Sequence, residues 1–469
     1  MRIALIPEDS RPCCTQMVER IASHAGVLLV MPDRTEMDSF RTPSSYERIR
    51  EFLIRELPLA DAVVISLEHW CFGSLLESRE ETVSEAEALG RVHDLEEILN
   101  GFPEVPVYMS TIILRSSIST FSQTEVELYE AVTEYSMNIS RYEETGDMES
   151  LERARKAERN IPPEVLKRIL AVRRRNLAVN LEAVRLSAGG CVQWLEILQE
   201  DSQMYGLPRK DQKKVTEALQ KAGVTNFCMR NGADESGCML TARAMAKGRT
   251  FEADVRFLGD PNECALYEDR PYLTNFKGMM RELTIMHTPG AESIIVVCCP
   301  INTPGNDLAS RTLEAYAKDI DALLESGRHV YLLDVIRPNG GASLLVESMN
   351  HADRLYGYSA WNTASNSTGT LLAQFVSDQM AGKPNRRFFE ERLLDDLIYE
   401  SILREPLEIT LRSLGENIYS LGDKAQAERL LREMMEQALP SLWISGDLPR
   451  YTISLPWNRT FEAWVEVQP

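Results

Sequence analysis

Short apolar runs that close on polar residues recur along this chain, and amphipathic stretches separate them. Ala4-Leu5-Ile6 leads into Glu8-Asp9-Ser10-Arg11-Pro12, and Ala62-Val63-Val64-Ile65-Ser66-Leu67 into Glu68-His69-Trp70. Val107-Tyr108-Met109 runs to Ser110-Thr111 and Arg115, and Trp194-Leu-Glu-Ile-Leu-Gln199 ends on Glu200-Asp201. The pattern repeats from Phe227 to Arg230-Asn231-Gly232-Ala233-Asp234-Glu235, from Ile294 to Asn302, from Val330 to Asp334, and from Leu355 to Trp361-Asn362. Continuous apolar runs of this kind predict strands buried on both faces of a parallel sheet, with ligand-facing loops at their carboxyl ends.

Between the strands the spacing predicts helices near Cys14 to Ala25, Tyr46 to Glu56, Glu77 to Asn100, Gln212 to Gly223, Cys238 to Lys247, Ser310 to Ser326 and Asn366 to Met380. Residues from about 121 to 189 depart from the alternation and read as an insertion of long charged helices opened by Pro162-Pro163. Within it, Arg173-Arg174-Arg175-Asn176 and Asn180 either send polar groups towards a ligand or form a solvated basic face. Past Gly382-Lys-Pro384 the composition shifts to helices near Phe388 to Glu405 and Lys424 to Ala438, followed by two alternating runs that predict a small β-ribbon. The expected fold is α/β: a (β/α)8 TIM-like barrel over residues 1–383 with the helical insertion, and a C-terminal appendage over 384–469. About ten candidate strands exceed eight, so two doubly wound parallel-sheet domains are the alternative.

Composition narrows the function. With 51 basic against 71 acidic residues and a formal net charge of -20, the chain is expected to repel nucleic acid and anionic membranes. No run approaches the roughly 20 apolar residues of a membrane span, and no signal-like start is apparent. Nine scattered cysteines, an odd number, fit a reducing cytoplasm. The six histidines make no metal-binding spacing, and no phosphate-loop or dinucleotide fingerprint occurs, so no cofactor or resident metal is expected.

The chemistry therefore rests on carboxylates and amides. Glu200 and Asp201 close a buried strand and are the candidate catalytic pair; the structural alternative makes Asp201 or Ser202 the cap of a helix starting near Pro208. Asp234 and Glu235 repeat the arrangement, with a helix-capping alternative of their own. Asp9 with Arg11 would stand at the same rim or form a salt-bridged loop. Asp334 with Asn339-Gly-Gly341 can chelate neighbouring hydroxyls of a sugar, although Asn-Gly is also an ordinary turn. Trp361, Asn362 and Asn366 combine an aromatic face with amides, or else a core Trp with a helix cap.

These motifs resemble the bacterial family DUF4127 along nearly the whole chain. The resemblance is carried by Ile6-Pro-Glu-Asp-Ser-Arg-Pro-Cys-Cys14, Phe72-Gly-Ser-Leu-Leu-Glu-Ser-Arg79, Gln199-Glu-Asp-Ser202 with Tyr205-Gly206, and Gly232-Ala-Asp-Glu235. Asn302-Thr-Pro-Gly305, Asn339-Gly-Gly341, Trp361-Asn-Thr363 and Pro456-Trp-Asn-Arg-Thr-Phe-Glu462 complete it. The order of acids and amides is also similar to that of TIM-barrel O-GlcNAcase and hyaluronidase-like glycoside hydrolases. That likeness implies substrate-assisted, retaining hydrolysis of a 2-acetamido sugar, with Glu200 orienting the amide and Asp201 as general acid and base. Glu200 stands where those enzymes have Asp, and Val335 where they have Asn.

The expected function is thus a cytoplasmic glycoside hydrolase, of β-N-acetylhexosaminidase type, acting on a small carbohydrate or glycoside. Glu200 and Asp201 are its catalytic residues, and Asp9, Arg11, Arg79, Tyr205, Asp234, Glu235, Asn302, Asp334, Asn339, Trp361, Asn362 and Asn366 its substrate-binding residues. One alternative is an Mg²⁺ or Mn²⁺ hydrolase or lyase built on Asp9, Asp201, Glu235 and Asp334; another is a sugar-binding protein without turnover.

Overall fold

The apolar runs form two parallel sheets. The structure is a computed structural model that describes residues 1–116, 118–119, 123–301 and 310–468. By contact the chain divides into two compact units, one of residues 1–19, 26–245 and 267–269, the other of 20–25, 246–266 and 270–469. Residues 384–469 thus belong to the second unit.

In the first unit β1 (Arg2–Ile6), β2 (Leu28–Val30), β3 (Ala62–Ser66), β4 (Val107–Ile113), β5 (Trp194–Gln199) and β6 (Phe227–Asn231) lie in the order β2-β1-β3-β4-β5-β6. Every neighbouring pair is parallel. The five residues of β3 are all buried, as a strand covered by helices on both faces requires. The core packs Ile6, Ile65, Met109 and Ile197 against helix residues such as Phe52, Val92 and Leu219. Local signals set the helix ends: Ser45 caps Tyr46–Glu56, and Ser84 caps Glu85–Asn100 by accepting from the Glu87 N–H at 3.2 Å, a contact worth ~1 kcal/mol. The predicted helix from Glu77 is accordingly interrupted, leaving a single turn at Glu77–Arg79 before Ser84. The insertion consists of helices Gln123–Thr145, Met148–Glu158 and Pro163–Ala188.

The second unit contains β7 (Phe251–Leu258), β8 (Ile285–His287), β9 (Ser293–Cys298), β10 (His329–Asp334) and β11 (Gly357–Ser359), ordered β11-β10-β9-β7-β8 and again parallel. Its core joins Ile294, Val296 and Leu332 to Leu393, Leu397, Leu431 and Met435 of the C-terminal helices. The ribbon is β12 (Tyr451–Ser454) paired antiparallel with β13 (Trp464–Val467). The helix predicted from Phe388 to Glu405 is wound more loosely, with a π-helical stretch at Leu393–Leu403.

The described strands therefore do not close into one eight-stranded barrel; they form two open sheets, and the doubly wound alternative is the reading that fits. The physical reason lies in the connections. In each unit the second strand pairs on one side of the first and the third strand on the other, so winding reverses and leaves two edges. In such sheets ligands bind beyond the carboxyl ends, at the reversal. No helix among the described residues is long and apolar enough to cross a membrane.

Candidate functional site

At the winding reversal of the first sheet, between β1 and β3, the chain leaves β1 as Pro7-Glu8-Asp9-Ser10-Arg11, all buried. Arg11 is the tie across this edge: its guanidinium donates to Asp9 at 2.8 Å and to Asp234, beyond β6, at 2.7 Å. Burial pushes the Asp9 carboxyl up, but the Arg11 charge and hydrogen bonds outweigh it and hold Asp9 below its ordinary value. Glu8 accepts from the Ser110 hydroxyl at 3.2 Å. Burial, then the charges of Asp234, Glu196, Glu68 and Glu235, drive its carboxyl well up, towards the neutral acid.

From β3 come Glu68 and His69, also buried. One Glu68 oxygen accepts from the Ile112 N–H at 2.7 Å; the other, Oε2, has no partner among the described residues. Burial, opposed by these hydrogen bonds and aided by the Glu200 charge, lifts Glu68 to about 8. Burial depresses His69 to about 4. The neutral ring sits between the Pro7 carbonyl and the Ser44 hydroxyl, each at 2.7 Å, Nδ1 donating to the first and Nε2 accepting from the second.

The carboxyl end of β5 carries the predicted pair. Glu200 is bound to Arg79, while Asp201 accepts from Arg115 at 3.0 Å. The Asp201 side chain is 30% exposed against 6% for Glu200, so Asp201 is the member open to a ligand. The capping alternative fails here, because helix Leu207–Ala222 begins at Gly206 with no side-chain cap. Tyr267 stands close enough to Asp201 and Tyr129 that, after burial, both raise its hydroxyl. Its backbone is left-handed, φ 68°, and its carbonyl accepts from the Ser202 N–H at 2.8 Å. An exposed tyrosine in that conformation, beside an open carboxylate, marks strain of the kind that collects at functional sites.

Other predicted residues make contacts within the unit. Asp234 and Glu235 are ion-paired with Arg11 and Arg230, and Arg230 also reaches Glu196 inside β5 at 2.9 Å. Gly232, at φ 113°, gives the turn room, since a Cβ there would run into the Glu235 carboxylate. Tyr205 lies under the Arg141 guanidinium, 5.8 Å from ring centre. Arg173, Arg175, Asn176 and Asn180 are buried, so the solvated basic face is confined to Arg174. They donate to backbone carbonyls: Arg173 to Leu114 and Arg115, Arg175 and Asn176 to Ser78, and Asn180 to Ile112.

Asp334, Asn339, Trp361, Asn362 and Asn366 belong to the second unit, and Asn302 lies outside the described residues. Asp334 is fully buried and accepts from the Ala342 N–H at 2.7 Å. Burial raises it to about 6. Asn339, left-handed at φ 59°, donates its N–H to the Asn362 carbonyl at 3.0 Å. Trp361 is buried and donates to Thr370 at 3.3 Å, and the Asn366 N–H meets the Thr363 cap at 3.4 Å. These residues do gather with one another at the carboxyl ends of β10 and β11, where their visible contacts hold the loops. The chelating and catalytic groups expected in one rim are thus distributed over two units.

Sequence reasoning left Arg115, Tyr129, Tyr267, Glu196 and Arg230 out of the site. Glu196 and Arg230 had a signal: a charge inside an apolar strand must be paired to be buried. Tyr267 had none, since its place depends on a loop conformation.

Among the described residues no three of His, Cys, Asp and Glu stand together as a metal-ligand set. The profile of the family described as "Protein of unknown function (DUF4127)" matches residues 3–466, and the chain belongs to that family. No curated protein matches. A solved structure, that of the cobalamin-dependent S-adenosylmethionine radical enzyme OxsB with aqua-cobalamin bound, aligns over 93% of this chain and 67% of its own at 10% identity. Its TM-score of 0.18 carries no structural inference.

Proposed function

We propose that the first unit is the catalytic part of a glycoside hydrolase, with the exposed Asp201 as the acid–base group at the scissile bond and Glu200 orienting the substrate beside it. The single observation that carries the reading is the contrast between two neighbouring carboxyls beyond the ends of β3 and β5. Glu200 is bound to a guanidinium, whereas Glu68, within reach of its charge, is lifted to about 8 and has one oxygen free of partners among the described residues. A buried carboxyl raised in this way keeps its proton near neutrality, as the proton donor of acid–base hydrolysis must. Glu68 is the proton-holding group behind Asp201 and Glu200. Tyr267 supplies an aromatic surface at the mouth, suited to the C–H face of a sugar ring.

The test uses wild type, Asp201→Asn and Glu68→Gln with a panel of aryl glycosides that includes 2-acetamido sugars. Hydrolysis by wild type and at least ~100-fold loss in Asp201→Asn are expected, the usual size of an acid–base contribution. Equal rates in wild type and Asp201→Asn would remove Asp201 from the mechanism. Ligand-induced stabilisation with no product from any glycoside would replace hydrolysis by binding alone.

A further inference from the structure

Arg79 and Arg115 are the cations of this mouth, and they are held with unusual care. The carbonyls of Leu114 and Arg115 itself are tied down by Arg173, which is anchored to Asp211 at 2.6 Å. On the other side Arg175 and Asn176 hold the Ser78 carbonyl, next to Arg79, and Arg175 also holds those of Glu80 and Val83. Both guanidinium groups are nearly enclosed, with side chains 12% and 13% exposed, yet they adjoin the open Asp201. Arg115 reaches Asp201 at 3.0 Å and Glu200 at 4.0 Å. Each arginine also keeps a buried Nε–H with no partner among the described residues, as does Glu200 at Oε2.

We infer that Arg79 and Arg115 form a receptor for an oxyanion on the substrate, a carboxylate or a phosphate ester, which takes the place of Glu200 and Asp201 on the two guanidinium groups. A purely structural ion pair gains most when all its donors are used, because a buried donor left unmade costs the desolvation of that group. These two arginines instead spend part of their forks on the two carboxylates, with Arg115 also donating to the Ile118 carbonyl at 2.6 Å and Arg79 to the Ser119 hydroxyl at 3.4 Å, and each leaves its buried Nε–H without a partner among the described residues. Two forks on pre-set backbones are the arrangement that recognises a planar or tetrahedral oxyanion through paired N–H groups. Arrival of the anion frees the Asp201 carboxylate from Arg115, so that the group proposed for acid–base work becomes available only when the charged substrate is present.

The inference deepens the hydrolase reading by giving its substrate a charge, but its test reads binding without turnover. Calorimetric titration of the full chain at low salt with glucuronate, glucose 6-phosphate and glucose is expected to show at least about tenfold tighter binding of one anion than of glucose. Whichever anion binds decides between carboxylate and phosphate. Arg79→Lys and Arg115→Lys, which keep the charge and lose the fork, are expected to weaken that binding about tenfold, while Arg174→Gln on the exposed helix face leaves it unchanged. Asp201→Asn is expected to bind the anion at least as tightly as wild type. Binding by Asp201→Asn with no glycosidase activity in wild type would sink the hydrolase and keep the receptor. Equal affinity for glucose and both anions, no anion binding at all, or undiminished binding in both Lys variants would overturn the receptor.

Discussion

Glu68 and His69 are adjacent, equally buried, and displaced in opposite directions, to about 8 and about 4, because burial disfavours whichever form is charged. At neutral pH both are therefore uncharged, and only Glu68 has a proton to give. If Glu68 holds the proton for glycoside cleavage, activity should be retained below pH 8 and fall as pH rises through it. Glu68→Gln should abolish that alkaline limb as well as lowering the rate, which a pH profile of kcat/KM on the best aryl glycoside would reveal; an unchanged limb assigns it to another group. Glu200 and Asp201 stand at the carboxyl end of β5, as the apolar run that closes on them predicts. Asp334 was equally conspicuous, yet its carboxylate serves the Ala342 N–H, and the difference between these roles is set by burial, which sequence does not display. Gly341 shows the same closeness: a Cβ there would meet Asp334 Oδ2 at 2.5 Å and the Tyr358 hydroxyl at 2.6 Å. Gly341→Ala is expected to cost ~2 kcal/mol in urea unfolding, the overpacking range; a change below 0.5 kcal/mol, roughly the surface value, would mean the loop moves aside freely.

At the scale of elements, most strands and the helix Tyr46–Glu56 follow directly from the hydrophobic pattern, since their periodicity and their burial agree. Helix Pro163–Ala188 is different. Its charges suggested either ligand contact or a wet face, but Arg173 and Arg175 project inward and donate to carbonyls of irregular loops. Pattern reading counts charge as surface; a guanidinium with five donors is the residue that overturns the rule. Burial lowers Arg175 to about 10, and its ring-face contact with Phe72, 4.2 Å from the centroid, completes the packing. Arg175→Met keeps much of the volume and strands the Glu80 and Val83 carbonyls, while Ser78 keeps the Asn176 amide. About 3 kcal/mol of destabilisation is expected, and Arg174→Met, one residue away and exposed, should change stability by under ~0.5 kcal/mol. Similar losses in the two variants, measured by urea unfolding, would contradict the inward role.

The whole molecule collects more raised carboxyls than a sequence count of charge can convey. Besides Glu68 at about 8, burial lifts Asp396 to about 7 and Asp334 to about 6, and Glu8 lies well above its ordinary value. The two units share one winding order but were joined in the expected barrel because strand pairing across hundreds of residues leaves no local trace; the acids were likewise counted as fully ionised in the formal charge of -20. The sign of the consequence follows from proton linkage. Above pH 4.5 the unfolded chain has lost these protons while the native state still holds them, so unfolding releases protons and stability falls with rising pH, by ~1.4 kcal/mol per unit for each net proton. The loss continues until each native carboxyl has itself ionised, through about 6, 7 and 8 in turn. His69 acts the other way: its depressed value costs stability as pH falls from 6.5 towards 4, and Asp9, held down by Arg11, adds to the acid side below its unfolded value. Raised carboxyls outnumber these between pH 5 and 8, so thermal or urea unfolding should show a stability maximum on the acid side of neutrality and a continuous decline from pH 5 to 8. A flat or rising curve over that interval would mean that Glu8, Glu68, Asp334 and Asp396 are ionised in the folded protein, and the proton donor required at the mouth of the first sheet would be gone with them.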